Sequence, residues 1–322
     1  MSTRSAHPLK RPTRGAALLL AMIILTLITT LAAGMVWAQW RSIQVETAER
    51  ARTQSAWILT GALDWARLIL REDARNGGAD HLGEPWAVPL AEARLSSFLA
   101  ADKNNTADED AGPEAFLSGA IADAQSRYNL RNLVQEGKVV PEELAVLQRL
   151  CETAGLSAEV GRQIAEGLRD SWSGSSEGAA VAPQTVDQLV WLGVQPPDLE
   201  RLKPWIVLLP EQTKVNINTA PREVLAAVVD GLDLGSAERI VQARQRDPFN
   251  KLEDADAFLP KNTTGAEGGG RQRLDVHSNF FEVTGQVRLG DRVLQERSLV
   301  QRRGLDIVAL RRERVNLHAG GS

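Results

Sequence analysis

Two stretches and one short turn carry residues whose types and spacing could do chemistry. The first is acidic: Asp102, Asn104, Thr106 and Asp108 alternate, and Glu109, Asp110 and Glu114 follow closely. Alternating oxygen-bearing side chains are how calcium loops assemble their ligands, so Asp102, Asn104, Asp108 and Asp110 form a candidate calcium set. The central glycine and the bidentate glutamate at loop position twelve are missing, so a solvated acidic loop stays open as the other reading. The second stretch is the Gly15–Ala16 peptide bond, set between a basic segment (Arg4, Lys10, Arg11, Arg14) and an uncharged run from Ala16 to Trp40. Last comes the turn Gly231-Leu232-Asp233, where backbone N–H groups could face an anion at a helix start.

Other chemistries lack their residues. Four histidines at 7, 81, 277 and 318 are scattered, and one cysteine, Cys151, permits neither an intramolecular disulfide nor a Cys/His zinc cluster. Cys151 follows Leu150 on an amphipathic pattern and reads as a buried small apolar residue. Gly265 to Gly270 lacks the Lys-Ser/Thr of a phosphate loop and reads as a linker. No nucleophile–base spacing stands out, so the chain does not read as an enzyme. The net charge of −4 argues against a general nucleic-acid binder.

The elements that hold these residues begin with the apolar run. Its 25 residues, at about 1.5 Å each, are enough to cross a bilayer core of about 30 Å. The basic flank belongs in the cytoplasm and the bulk of the chain on the far side. Three readings compete for the run. They are a secretory signal peptide cut after Ala32-Ala33-Gly34, a plain signal anchor, and a type IV pilin-like leader cut on the cytoplasmic side between Gly15 and Ala16. The last is favoured, because the apolar run is long for a signal peptide and lies wholly beyond the glycine.

Helix formers continue past Trp40, with Ile58, Ala62, Trp65 and Ile69 on one stripe, so a single helix is expected over about 16–73, ended by Asn76-Gly77-Gly78. Residues 79–119 read as loop, and the later part of 120–133 as a strand. Helices are expected at 142–154, 158–172, 183–192 and 197–205. Segment 214–260 repeats that pattern, with "Val-Asp-Gln-Leu" at 186 matched by "Leu-Glu-Asp-Ala" at 252, which suggests an internal duplication. Phe280–Leu289, Val293–Arg302 and Leu305–Arg314 alternate as strands, the first two joined by a turn at Gly290-Asp291. His318–Ser322 reads as a disordered tail.

Segment 214–260 resembles a helix-hairpin-helix module of competence-type DNA receptors, through Val215-Asn-Ile-Asn-Thr-Ala-Pro221, Leu225, Gly231, Ala237, Ile240, Arg244, Pro248-Phe249 and Leu252-Glu253-Asp254. It departs from that pattern where a second glycine is usual: Asp233 stands there, and Asp230 precedes the turn. Each carboxylate opposes a phosphate by about 1 kcal/mol in water at close range. A membrane-anchored DNA receptor is therefore the second reading, behind a structural or protein-docking helical insert.

The whole order resembles the minor pseudopilin K family of the type II secretion system. Arg14-Gly15-Ala16-Ala17-Leu18-Leu19-Leu20, Glu84-Pro-Trp-Ala-Val-Pro89, Ile121-Ala-Asp123 through Arg127-Tyr-Asn129-Leu-Arg-Asn132-Leu133, and Val215 to Pro221 carry the resemblance. It implies an α+β, pilin-like fold: a long N-terminal helix, a small antiparallel sheet and a large inserted α-domain containing helix-hairpin-helix-like units. The expected organisation is a leader at 1–15, a membrane helix at 16–40, the start of the pilin-like domain at 41–134, the insert at 135–260 and C-terminal strands at 271–316. The resemblance also implies cleavage after Gly15 by prepilin peptidase and methylation of the Ala16 amine. Insertion in the inner membrane would leave the C-terminal domain in the periplasm. Assembly with minor pseudopilins I and J would form the tip of a pseudopilus that contacts exoprotein cargo or the outer-membrane secretin. Calcium binding is implied as well.

Most pilins carry glutamate at mature position five, which is Leu20 here. A carboxylate there lies in hydrocarbon, at roughly 2.5 kcal/mol or more if unpaired, and is relieved by the N-terminal ammonium of the subunit ahead. A subunit at the very tip has no neighbour ahead, so Leu20 fits the first position.

Overall fold

The computed structural model describes residues 14–96, 115–173, 181–260, 270–290 and 292–318. They fall into two units, Met1–Trp57 and Ile58–Ser322. Helix α1 spans Arg14–Asn76, with no proline to break it. Within its apolar part the hydroxyls of Thr26, Thr29 and Thr30 donate back to carbonyls three or four residues earlier. Their polar atoms are thereby satisfied without water. Gly77 and Gly78, both at positive φ, end the helix, and the Gly77 N–H donates to the Asp73 carbonyl.

In the second unit, strands β1 (Leu90–Arg94) and β2 (Ala115–Asp123) precede the insert. The insert carries six two-residue strands: β3 (Tyr128–Asn129), β4 (Val134–Gln135), β5 (Lys138–Val139), β6 (Ile206–Val207), β7 (Val215–Asn216) and β8 (Leu274–Asp275). Long strands β9 (Phe280–Leu289), β10 (Arg292–Arg303) and β11 (Asp306–His318) follow it. One antiparallel sheet forms in the order β1-β2-β9-β10-β11.

From Ile58 onward α1 buries Leu59, Leu63, Ala66 and Leu70 against Leu117, Phe281, Val283, Val287, Val300 and Ile307 of the sheet. The stripe is one position off the expected one. Ile58, Ala62 and Ile69 flank it half-buried, and Trp65 is 50% exposed. Two apolar stripes lie side by side on this helix, and the sheet selects the smoother one. Gly285 admits it, since a Cβ there would stand 3.1 Å from the Leu59 side chain.

Other corrections concern strands. Residues 79–119 contain β1 and the start of β2, not loop alone. In 120–133 the strand occupies the earlier part, and the later part is two 3-10 turns around β3. The sequence of β2, Ala-Phe-Leu-Ser-Gly-Ala-Ile-Ala-Asp, has weak strand propensity; pairing on both sides makes it a strand. His318 lies within β11, which extends past the expected end at Arg314.

The insert's helices are α2 (Pro141–Thr153), α3 (Ala158–Ser173), α4 (Pro196–Leu202), α5 (Arg222–Val228) and α6 (Leu234–Arg246). Its two halves share an order: a short strand, a helix pair, a 3-10 turn and a second short strand parallel to the first. In one half β3 pairs β6 around α2, α3 and the turn Val186–Leu192; in the other β7 pairs β8 around α5, α6 and the turn Leu252–Ala255. Both halves share one core, in which Leu130, Leu150, Ile164, Leu189, Leu225 and Ile240 are fully buried. Cys151 lies in it, its thiol pushed up to about 11 by burial.

Gly119 in β2 is held by the sheet itself, because a Cβ there would meet the Thr284 carbonyl oxygen at 2.8 Å. Gly119→Val is expected to destabilise the protein by about 1–3 kcal/mol, read as a lowered melting temperature in circular dichroism.

Candidate functional site

The N-terminal segment places Ala16 and Leu20 one turn apart on α1, on the same face. Both side chains are exposed, Leu20 at 63%, as are Leu18, Leu19, Ile23, Leu27 and Leu31. Among the described residues α1 is the one helix long and apolar enough to cross a membrane. An apolar surface of this extent needs lipid or other helices to cover it.

A second constellation lies where the insert leaves and rejoins the pilin-like body. Asp123 ends β2 and is fully buried. Its Oδ1 accepts from Gln125 N–H at 2.7 Å, and its Oδ2 accepts from Thr219 Oγ1 at 2.5 Å, Ser278 Oγ at 2.6 Å and Asn216 Nδ2 at 3.1 Å. Asn216 Nδ2 also donates to the Asp80 carbonyl at 3.1 Å, and Ser278 N–H donates to Asp80 Oδ2 at 2.7 Å. Arg302 near the end of β10 closes the group, reaching Asp73 at 2.8 Å and Asp80 at 2.5 Å and donating to the Ser278 carbonyl. Thus the end of α1, β2, both repeats' boundaries and β10 meet in one hydrogen-bonded knot.

Burial raises the acids of this knot. Asp123 is pushed up to about 6 by desolvation, against the hydrogen bonds it accepts. Asp73 also rises to about 6, through burial and the Glu84 carboxyl beside it, with Arg302 opposing. Asp80 is raised as well, by burial first. Carboxylate oxygens of Asp73, Asp80 and Glu84 lie within 4.8 Å of one another, a spacing that could hold a metal ion. The Arg302 guanidinium already bonds two of the three, and Glu84 accepts from His81 N–H and Trp86 Nε1, so the group is an arginine-filled structural cluster.

The repeats use asparagines in the same way. Asn132 exchanges both a donated and an accepted bond with the Thr213 backbone, and Asn218 does so with Phe249. Asn129 and Asn216 each accept from the N–H two residues on. These asparagines were visible in the sequence as motifs; Asp80, Ser278 and Arg302 had no local signal, because distant chain segments bring them together.

The turn Gly231-Leu232-Asp233 is present, with Gly231 at φ +78° and Leu232 buried. Asp233 caps α6: its carboxylate accepts from Ser236 N–H at 2.8 Å and Ser236 Oγ at 3.0 Å, which holds its pKa below the usual carboxylate value. The slot that a DNA phosphate would use is filled by the chain's own anion. Asp230 pairs with Arg149 of α2 at 2.8 Å and faces Arg273 at 3.6 Å, tying one repeat to the other. This turn gives the DNA-receptor reading no support. The candidate calcium residues Asp102, Asn104, Asp108 and Asp110 lie outside the described residues.

Asp123→Asn replaces one acceptor oxygen with an N–H donor, which then faces a donor: the Gln125 N–H if the amide oxygen keeps the place of Oδ2. The expected loss is about 1–3 kcal/mol of stability by chemical denaturation. A raised carboxyl pKa favours the fold below the unfolded value and loses that contribution as pH rises through the folded value near 6. Wild type should therefore gain stability relative to Asp73→Asn as pH is lowered from about 7.5 to about 5, measured by paired thermal melts.

Two family models, both described as type II secretion system (T2SS), protein K, match residues 126–211 and 215–277, one on each repeat. Type II secretion system protein K of Pseudomonas aeruginosa is 30% identical, covering 88% of this chain and 87% of that one. The Klebsiella pneumoniae protein of that name is 27% identical, covering 90% and 93%. In the crystal structure of the GspK-GspI-GspJ complex from enterotoxigenic Escherichia coli, one chain shares the fold with a TM-score of 0.62 and 21% identity, covering 83% of this chain and 98% of its own. Relatedness along nearly the whole length, through both repeats and the strands around them, places the chain in the type II secretion system protein K family: it is a minor pseudopilin.

Proposed function

We propose that this pseudopilin is the tip subunit that starts the periplasmic pseudopilus, in a complex with minor pseudopilins I and J, and so supports export of folded proteins through the outer-membrane secretin. The observation that carries this reading is Leu20. It stands one turn from Ala16 on an exposed apolar face, where a subunit with a neighbour ahead would carry an acid. The enterotoxigenic E. coli chain of like fold occurs with GspI and GspJ, which supports the same partners here. The basic segment before Gly15 supports a cytoplasmic N-terminus, with the domain beyond the inner membrane in the periplasm.

Prepilin peptidase removes residues 1–15 in this reading, and Ala16 becomes the methylated N-terminus. The exposed α1 helix acts first as membrane anchor and then as filament core. Calcium is assigned to Asp102, Asn104, Asp108 and Asp110 on the strength of their spacing; Asp108→Ala should weaken calcium binding in titration calorimetry.

Gly15→Val is expected to block leader removal, seen as an intact N-terminal mass from cells that contain prepilin peptidase; a normal mature N-terminus would overturn the leader assignment. Leu20→Glu should leave processing intact and lower secretion of folded exoprotein. Unchanged secretion in that variant would remove the argument for the tip.

A further inference from the structure

On the face of the sheet away from α1, a cavity of about 470 Å³ opens between the insert and β11. Its rim carries Arg131, Arg303 and Arg311, and its walls include Trp172 and Leu310. Arg131 stacks on the Trp172 ring at 4.1 Å, which fixes its guanidinium plane. Arg303 donates Nε to Gln301 Oε1 at 2.8 Å. Among the described residues neither Arg131 nor Arg303 has a carboxylate partner. Arg311 is already held, by the Gln184 carbonyl at 2.6 Å and by Glu313 at 2.9 Å. Among the described residues one acid lines the cavity, Glu211, and it accepts from Gln301.

The cavity borders a sheet edge. Among the described residues β11 is the last strand of the five-stranded sheet and pairs with β10 alone. Arg67 and Arg71 of α1 donate to the Ile307 and Leu305 carbonyls, so the open stretch of the edge begins after Ile307. There the register with β10 slips by one residue: Val300 faces Ala309, Leu299 faces Arg311, and Leu310 is the extra residue. A bulge of this kind re-aims side chains; Leu310 lines the cavity and is 38% exposed.

We propose that this cavity and the adjoining edge of β11 dock an extended acidic polypeptide segment of a partner protein. The segment adds to the sheet beside β11 through main-chain hydrogen bonds, sets an apolar side chain against Leu310 and Trp172, and places carboxylates on Arg131 and Arg303. A bare phosphate would satisfy the arginines but leave the apolar wall and the strand edge unused. The site is built from residues of the second unit alone, whereas the filament reading rests on Ala16 and Leu20, so either can fail without the other.

The test uses the full-length chain in detergent micelles and a fluorescently labelled peptide of alternating glutamate and valine, followed by anisotropy. The peptide is expected to bind, and an unlabelled lysine–valine peptide to leave it bound. Arg131→Gln and Arg303→Gln should each weaken it about tenfold with unchanged melting temperature. Absence of binding, equal competition by the lysine peptide, or full affinity in both arginine variants would overturn the proposal. Displacement by inorganic phosphate at matched ionic strength would also overturn it, by making the pocket a simple anion site.

Discussion

Asp123 is the group on which the rest of the second unit depends. A fully buried carboxyl is tolerated only when its oxygens are satisfied, and four donors converge on this one. Those donors come from the turn after β2, from the start of the second repeat and from the segment between β8 and β9 that returns the chain to the sheet. Arg302 extends the same knot to the end of α1. The insert can therefore be large without swinging freely, because both of its connections pass through one polar junction rather than through two loose linkers. Such a junction contributes less to net stability than an equal apolar core would, since each buried acid keeps a desolvation penalty; its asset is that only one docking satisfies all the partners.

The two repeats show how one device is reused. Each begins with a short strand and an asparagine turn and ends with a strand parallel to that start. The asparagines stand in for backbone, giving and taking one bond each at Thr213 and Phe249. In the second repeat the hairpin turn is closed by its own carboxylate, because Asp233 caps α6 from within.

At the other end of the chain, the apolar half of α1 is exposed and long enough to cross a membrane. The polar demands are met internally, by threonines bonded to the turn before them.

Much of this was readable from residues alone. The long N-terminal helix, its end at Gly77-Gly78, the helix pairs and the C-terminal strands follow from periodicity, capping and local spacing, which depend on neighbours within about one turn or one strand. Three things did not. Which of two stripes on α1 faces the sheet shows only in the packing, where Leu59 sits over Gly285. The strand at β2, built of small and weak strand formers, exists because β1 and β9 pair with it. Asp80, Ser278 and Arg302 acquire their roles only when segments some two hundred residues apart meet. Local energetics set what each element is; which polar groups share a buried site is a property of the closed chain, where the cost of an unpaired donor or acceptor selects a single arrangement.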